Sequence, residues 1–333
     1  MRTVFPLRKL ATGAVVILSC TLVVLGASVE LKRSANQIEV RIDGKPFTTY
    51  YFDPAIAKPY LMPIRTASGA VLTRGFPVAN DAAAGDPAAS SFEPHQRPLY
   101  FGHGNLDGLD FWGEQAFEKY YSDHDNQAYG HMVLKNVEDA SATANSAQIR
   151  ASFTLNTPHE RVIGQETQSF TFRGEDRVRT IDCEFVLRAV AGPLTIGDTK
   201  EGTFGIRLGP ELSAPLGRMM NSQGAEGEKQ IWGKPADWVD YSGTISGQKV
   251  GIAVFDSPRS FRHPTTWHAR GYGLFAANPF GLREFTGDLQ KDGSWTIPAG
   301  KSLTFRYRVL VHDGEFGPDQ IRAAYRRYAE EER

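Results

Sequence analysis

The chain has 333 residues, with 37 Lys and Arg against 38 Asp and Glu, and a formal net charge of −1. That balance sets up no global field to draw in nucleic acid or an anionic membrane, and no basic stripe interleaved with aromatics is present. Only two cysteines occur, Cys20 and Cys183, so no disulfide framework is expected.

At the N-terminus Arg2, Arg8 and Lys9 precede an uncharged, largely apolar run from Leu10 to Val29 that ends in small residues at Gly26-Ala27-Ser28. This layout predicts a secretory signal over residues 1–29, cleaved near Ala27. An uncleaved anchor is the alternative, because the run approaches the roughly 20 residues of a membrane span. Cys20 follows Ile17-Leu18-Ser19, which loosely resembles a lipoprotein cleavage site, although the apolar run continues beyond it. No later stretch is long and apolar enough to span a bilayer as a helix. The expectation is an exported protein, periplasmic or secreted, with no membrane contact beyond its N-terminus.

The rest of the chain reads as short alternating runs. Ile38 to Ile42 alternates, Asp43-Gly44 turns the chain, and Phe47 to Phe52 returns as a partner strand. Ala147–Leu155, Glu166–Phe172 and Val178–Leu187 follow, then Gly205–Leu208, Val250–Phe255 and Leu303–Val311. Cys183 lies in one of these runs and is expected to pack as a small core residue. One helix is predicted, from about Asp319 to Glu330, with Ile321, Ala324, Tyr325 and Tyr328 at helical spacing. Asn80–Ser91 and Gly209–Lys229 are loop-like in composition. The pattern predicts an all-β fold: one large antiparallel β-sandwich domain over residues 35–333 with a short C-terminal helix. Broad sheets of this kind offer a groove for a ligand.

Charged, histidine and tryptophan residues crowd into four Gly-punctuated segments: Pro94–Glu114, Gly197–Arg207, Trp232–Gly243 and His263–Phe280. Such stretches are good site material, and the four are expected to meet on one face. Trp238 and Tyr241 beside Asp237 and Asp240 suit a sugar, whose C–H faces stack on rings and whose hydroxyls bond to carboxylates. They also suit a core in which the polar tips find partners. His103 and His268 are candidate proton-transfer groups, since imidazole titrates near neutrality. Glu201, Glu114 or Asp240 could be the partner base, and Glu201 is taken as the catalytic one. His95, Trp112, Glu114, Lys200, Arg207, Trp238, Asp240, Tyr241 and Arg270 are expected to bind substrate. His124, His131, His159 and His312 lie outside the segments and are read as structural.

No metal site is expected, because no compact His or Cys cluster occurs. Asp107 and Asp110, with Asn105 nearby, suggest calcium only loosely, without the EF-hand pattern. No phosphate loop or dinucleotide fingerprint follows a strand, and no cofactor is expected.

The four segments carry a resemblance. Gly102-His103-Gly104 through Asp110-Phe111-Trp112-Gly113-Glu114, Lys200-Glu201-Gly202, Trp238-Val239-Asp240-Tyr241-Ser242-Gly243 and Trp267-His268-Ala269-Arg270 to Phe280 resemble the bacterial family labelled "methane oxygenase PmoA", a PmoA-like domain of unknown function. The resemblance runs from about Gln37 to the C-terminal helix. It implies no catalytic residues, because members are largely uncharacterised. Its label suggests a copper monooxygenase, but the membrane subunit of similar name needs several spans, and none follows residue 29. Relatives tend to carry further histidines where this chain has Glu93 and Gln96. The pattern is also similar to the galactose-mutarotase-like supersandwich, which implies a carbohydrate ligand.

Three functions follow. The first is a carbohydrate-directed epimerase, lyase or hydrolase acting on a sugar or glycoside by acid–base chemistry. The second is a non-catalytic carbohydrate-binding module. The third is a structural envelope protein whose four segments pack internally.

Overall fold

The computed structural model describes residue 1 and residues 27–76, 93–120 and 128–333, with the side chains of 118–120 excepted. Residues 2–26 of the expected export segment, Cys20 among them, the Asn80–Ser91 loop and His124 lie outside the described residues.

The chain first lays down β1 (Val29–Arg33), β2 (Gln37–Ile42), β3 (Lys45–Tyr51), β4 (Tyr60–Met62) and β5 (Leu99–His103). β1 pairs with β2, so the sheet starts ahead of residue 35. Asp43 and Gly44, with φ of 51° and 69°, make the tight turn between β2 and β3. A short parallel pair, β6 (Leu109–Asp110) and β7 (Ala128–Tyr129), follows. The chain then crosses to a second sheet and runs an antiparallel meander: β8 (His131–Ala142), β9 (Ala147–Asn156), β10 (Val162–Glu175) and β11 (Val178–Ala189).

From there it alternates between the sheets. β12 (Leu194–Ile196) is part of a side ribbon, and β13 (Gly202–Arg207) returns to the first sheet beside β5. β14 (Arg218–Asn221), α1 (Glu228–Ile231), β15 (Trp238–Ile245) and β16 (Gln248–Asp256) extend the second. β17 (Trp267–Ala269) and β18 (Leu274–Ala277) complete the first, and α2 (Leu282–Thr286) follows. β19 (Trp295–Ile297) pairs with β12, β20 (Ser302–Asp313) enters the second sheet between β16 and β11, and α3 (Pro318–Glu331) ends the chain.

The result is two eight-stranded antiparallel sheets among the described residues. Their strand orders are β1-β2-β3-β4-β5-β13-β18-β17 and β14-β15-β16-β20-β11-β10-β9-β8. The fold is the expected large antiparallel sandwich with a C-terminal helix. Alternation decides which side chains meet between the sheets: Ile38, Val40 and Ile42 from β2 face Phe170, Phe172 and Phe185 in one apolar core. Phe101 stacks on Phe185 at 4.3 Å, and Phe204 on Tyr307 at 4.8 Å, so aromatic pairs join the layers. Cys183 is buried in this core, and burial pushes its thiol pKa up.

The outer face of the second sheet is covered by α3. Pro318 occupies its first turn, where a missing N–H costs nothing. Ile321, Ala324 and Tyr328 pack on Trp238, Phe255 and Leu310. Among the described residues no helix is long and apolar enough to cross a membrane.

Candidate functional site

The outer face of the first sheet is built differently. On β5, Leu99 and Phe101 belong to the core, so Tyr100 points outward. On β17 and β18 the same alternation sends Trp267, Ala269, Phe275 and Ala277 inward and His268, Leu274 and Ala276 outward. Trp112 lies across this face with its ring 4.6 Å from that of Tyr100. Gly205 in β13 makes room for it, since a methyl group there would sit 2.7 Å from the Trp112 ring. Tyr60, Tyr100, Trp112, Leu274 and Ala276 form an apolar, aromatic floor.

Charged groups ring the floor. Glu114 accepts from Lys58 at 2.9 Å and from Arg97 at 2.5 Å. The Arg97 guanidinium lies 3.3 Å from the centre of the Phe76 ring. Lys58 also donates to the Trp112 carbonyl; burial, reinforced by Arg97, lowers its pKa to about 8 against the pull of Glu114. Arg207 donates to the Tyr272 carbonyl and lies 4.4 Å from the centre of that ring. Arg74 donates to the carbonyls of Glu93 and Gln96, and burial and Arg207 lower its pKa to about 9. Arg270 pairs with Glu228 at 2.9 Å.

Glu201 is the carboxylate whose charge acts most strongly on the Tyr100 and Tyr272 hydroxyls. Burial raises the pKa of both tyrosines, and the Glu201 charge raises it further. Lys200 lies 3.5 Å from Glu201 and 3.3 Å from Glu284. Burial opposes its charge, but the two carboxylates prevail and raise its pKa. Glu201 keeps 19% of its side chain exposed and Lys200 34%, so this end of the face opens to solvent.

Several buried polar atoms here have no hydrogen-bond partner among the described residues. They include the Tyr100 hydroxyl, the Trp112 indole N–H, the Gln96 amide oxygen and both ring nitrogens of His268. The Lys200 carbonyl lies near enough to His268 to favour its charged form. Burial, Arg270 and Lys200 outweigh that and lower its pKa to about 3, so the ring is neutral at neutral pH. Buried polar groups are normally bonded, and a concentration of unpaired ones on one face marks it as a place for a ligand.

The structure thus brings together Trp112, Glu114, Lys200, Glu201, Arg207, His268 and Arg270, with His95 on the turn at the edge, 3.4 Å from Glu93. Three of the four segments meet as expected; the third does not. Trp238 is buried under α3 on the opposite sheet. Asp240 is wholly buried on that same face, 3.4 Å from His312, and burial raises its pKa. Tyr241 points into the core and donates to the carbonyls of Arg270 at 3.0 Å and Leu274 at 3.3 Å. His103 is on the core side of β5, bonded through Nε2 to the Gly197 carbonyl at 2.8 Å, and burial lowers its pKa to about 4. These four residues are therefore structural by position.

Asp107, Asp110 and Asn105 do not converge as a calcium set. Asp107 accepts from the Thr195 amide, Asp110 from those of Trp112 and Gly113, and Asn105 from that of Gly108. Among the described residues no group of three or more His, Cys, Asp or Glu is placed to hold a metal ion.

Sequence reasoning missed Lys58, Arg74, Gln96, Arg97, Tyr100 and Tyr272. The signal for Tyr100 was present, since it alternates with Leu99 and Phe101; Lys58 gave none, lying in an unremarkable Pro-bounded turn. A cavity of about 590 Å³ between α3 and the second sheet, lined by Arg173, Arg308, Phe316 and Arg327 among others, is a separate hollow. Its Arg308 is already held by Asp182 and Glu331.

A model of the family of unknown function (DUF6807) matches residues 37–326. That description does not mention methane oxygenation. No curated protein matches. Among solved structures the chain is similar to a protein assigned as an aldose 1-epimerase from Klebsiella pneumoniae, with a TM-score of 0.39 and 10% identity over 91% of this chain and 87% of that one. It is also similar to an alpha-galactosidase from Geobacillus stearothermophilus in complex with raffinose, with a TM-score of 0.34 and 10% identity over 80% of this chain and 40% of that one. A polysaccharide lyase gives 0.33 and 9% over 90% and 34%. The chain thus spans well under half the length of the galactosidase and the lyase.

Proposed function

The chain belongs to the family of unknown function (DUF6807), and we propose that the outer face of its first sheet binds a carbohydrate or glycoside, with Glu201 as the base of acid–base chemistry on it. The observation that carries this reading is the set of unpaired neutral donors and acceptors around an aromatic floor: Tyr100, Trp112, Gln96 and His268. A sugar has the complementary surface, an apolar C–H face and a rim of hydroxyls that both donate and accept. Glu201 faces the same floor, and its partial exposure lets a ligand reach it. The reaction class is an epimerase, lyase or hydrolase.

A non-catalytic carbohydrate-binding module is favoured by one observation. With His103 turned to the core and His268 neutral, neither of the two histidines expected to transfer protons is poised to donate one near neutrality.

A thermal-shift screen of the protein against mono- and oligosaccharides tests binding, because a ligand of the folded state raises Tm with its concentration. A saccharide that stabilises the parent but not Tyr100→Phe supports the site. Equal stabilisation of both places the sugar elsewhere. Turnover lost in Glu201→Gln, with binding kept, separates the enzyme from the module.

We also propose export, on the strength of residues 1–29. Intact-mass measurement of the protein from cells should show the chain starting near residue 28; a chain retaining residues 2–26 would argue for the anchor.

A further inference from the structure

Building on the carbohydrate reading, we propose that this face selects a neutral sugar over an acidic one. The argument rests on which groups have partners and which do not. Each cation on the face is already engaged. Lys58 and Arg97 share Glu114, Lys200 lies between Glu201 and Glu284, and Arg270 pairs with Glu228. Arg74 and Arg207 donate to backbone carbonyls. Every guanidinium and ammonium group there is thus held by at least one partner, whereas the uncharged atoms left without one are a phenol, an indole N–H, an amide oxygen and the nitrogens of a neutral imidazole.

A hydroxyl group can meet each of these, accepting from the indole, donating to the amide and doing either with the phenol. A uronate or phosphate would have to draw a guanidinium or ammonium away from a bonded partner, or sit beside Glu201, whose neighbouring cation Lys200 is already shared with Glu284. Anions brought into a partly dry site without a cation are strongly disfavoured. Selection here therefore works through the engagement of the cations, each of which must give up a partner to meet an anionic ligand.

Isothermal titration calorimetry with matched pairs tests this: galactose against galacturonate, glucose against glucuronate and glucose 6-phosphate, with oligosaccharides of each class. The expected result is at least tenfold tighter binding of the neutral member, about 1.4 kcal/mol, with little dependence on salt. Equal or tighter binding of the acidic member overturns the inference while leaving the carbohydrate reading intact. No heat with either class overturns both. Glu228→Gln supplies the second test: it keeps an acceptor for the Gly271 amide, which Glu228 Oε2 now bonds at 2.7 Å, but frees the Arg270 charge. The neutral preference should narrow several-fold in that variant, and an unchanged ratio would show that pairing does not set it.

Discussion

The Trp112 indole rests on Gly205: a Cβ at position 205 would stand 2.7 Å from Cη2 of Trp112 and 3.0 Å from Cε1 of Tyr100. The floor of the site is thus set by the lack of a side chain in β13. Gly205→Ala must shift both rings, an overpacking cost of about 1–3 kcal/mol. Denaturant unfolding should show that loss, and saccharide binding should weaken with it. A variant as stable as the parent, binding sugar as well, would mean that the ring position is not fixed by this contact.

Tyr100→Phe separates stability from function. The hydroxyl is buried without a partner among the described residues, so removing it relieves an unmet group. The free protein should be as stable as the parent or up to about 1 kcal/mol more so, while saccharide affinity falls about tenfold through one lost hydrogen bond. Destabilisation by several kcal/mol would show that the hydroxyl has a structural partner.

Glu114 has the opposite character, since it is the carboxylate shared by two buried cations. Glu114→Gln leaves Lys58 and Arg97 without their carboxylate, and breaking a buried pair from one side costs about 3–5 kcal/mol. Calorimetry should record a large drop in Tm. A change within a degree would mean that these cations do not depend on Glu114.

His268 was expected to transfer protons, yet burial lowers its pKa to about 3. An NMR titration of its ring should stay in the neutral form from pH 8 to pH 5. Because the folded value lies below the unfolded value of about 6.5, this residue withdraws stability only as the pH falls below that point. A midpoint near 6.5 would restore it as a proton donor.

Glu166 gives a pH dependence of the other sign. It lies in the core at the end of a chain in which Tyr50 donates to Gln168 at 2.8 Å and Gln168 donates to Glu166 at 2.6 Å. Burial pushes its pKa up to about 8, against about 4.3 in an unfolded chain. The folded state therefore binds more protons between these values. Its contribution is full below pH 4 and declines as the pH rises toward 8. Urea unfolding from pH 5 to pH 8 should show a steeper fall for the parent than for Glu166→Gln; identical slopes would dismiss this role.

The sandwich was legible where one strand face is dry and the other wet. Ile38-Glu39-Val40-Arg41-Ile42 and Val178 to Leu187 alternate for that reason, and both are strands of the expected span. β5 and β18 are buried on both faces, so alternation between core and solvent disappears there and Leu99–His103 reads as site material instead. β15 misled in the reverse way. Trp238 and Asp240 look like a binding pair, but α3, 78 or more residues later in the chain, covers their face. His103 and Tyr100 share one strand, and only the register of β5 against β13 decides which of them faces the ligand side. Of the four segments that composition singled out, three converge, and the assignment of faces required the sheet.

The most direct test of the central claim is a crystal structure of Glu201→Gln soaked with the neutral saccharide that raises the parent's Tm most. The sugar should lie on the Tyr100–Trp112 floor, within hydrogen-bond distance of Gln96 and His268. A sugar bound instead between α3 and the second sheet, with that floor empty, would contradict it.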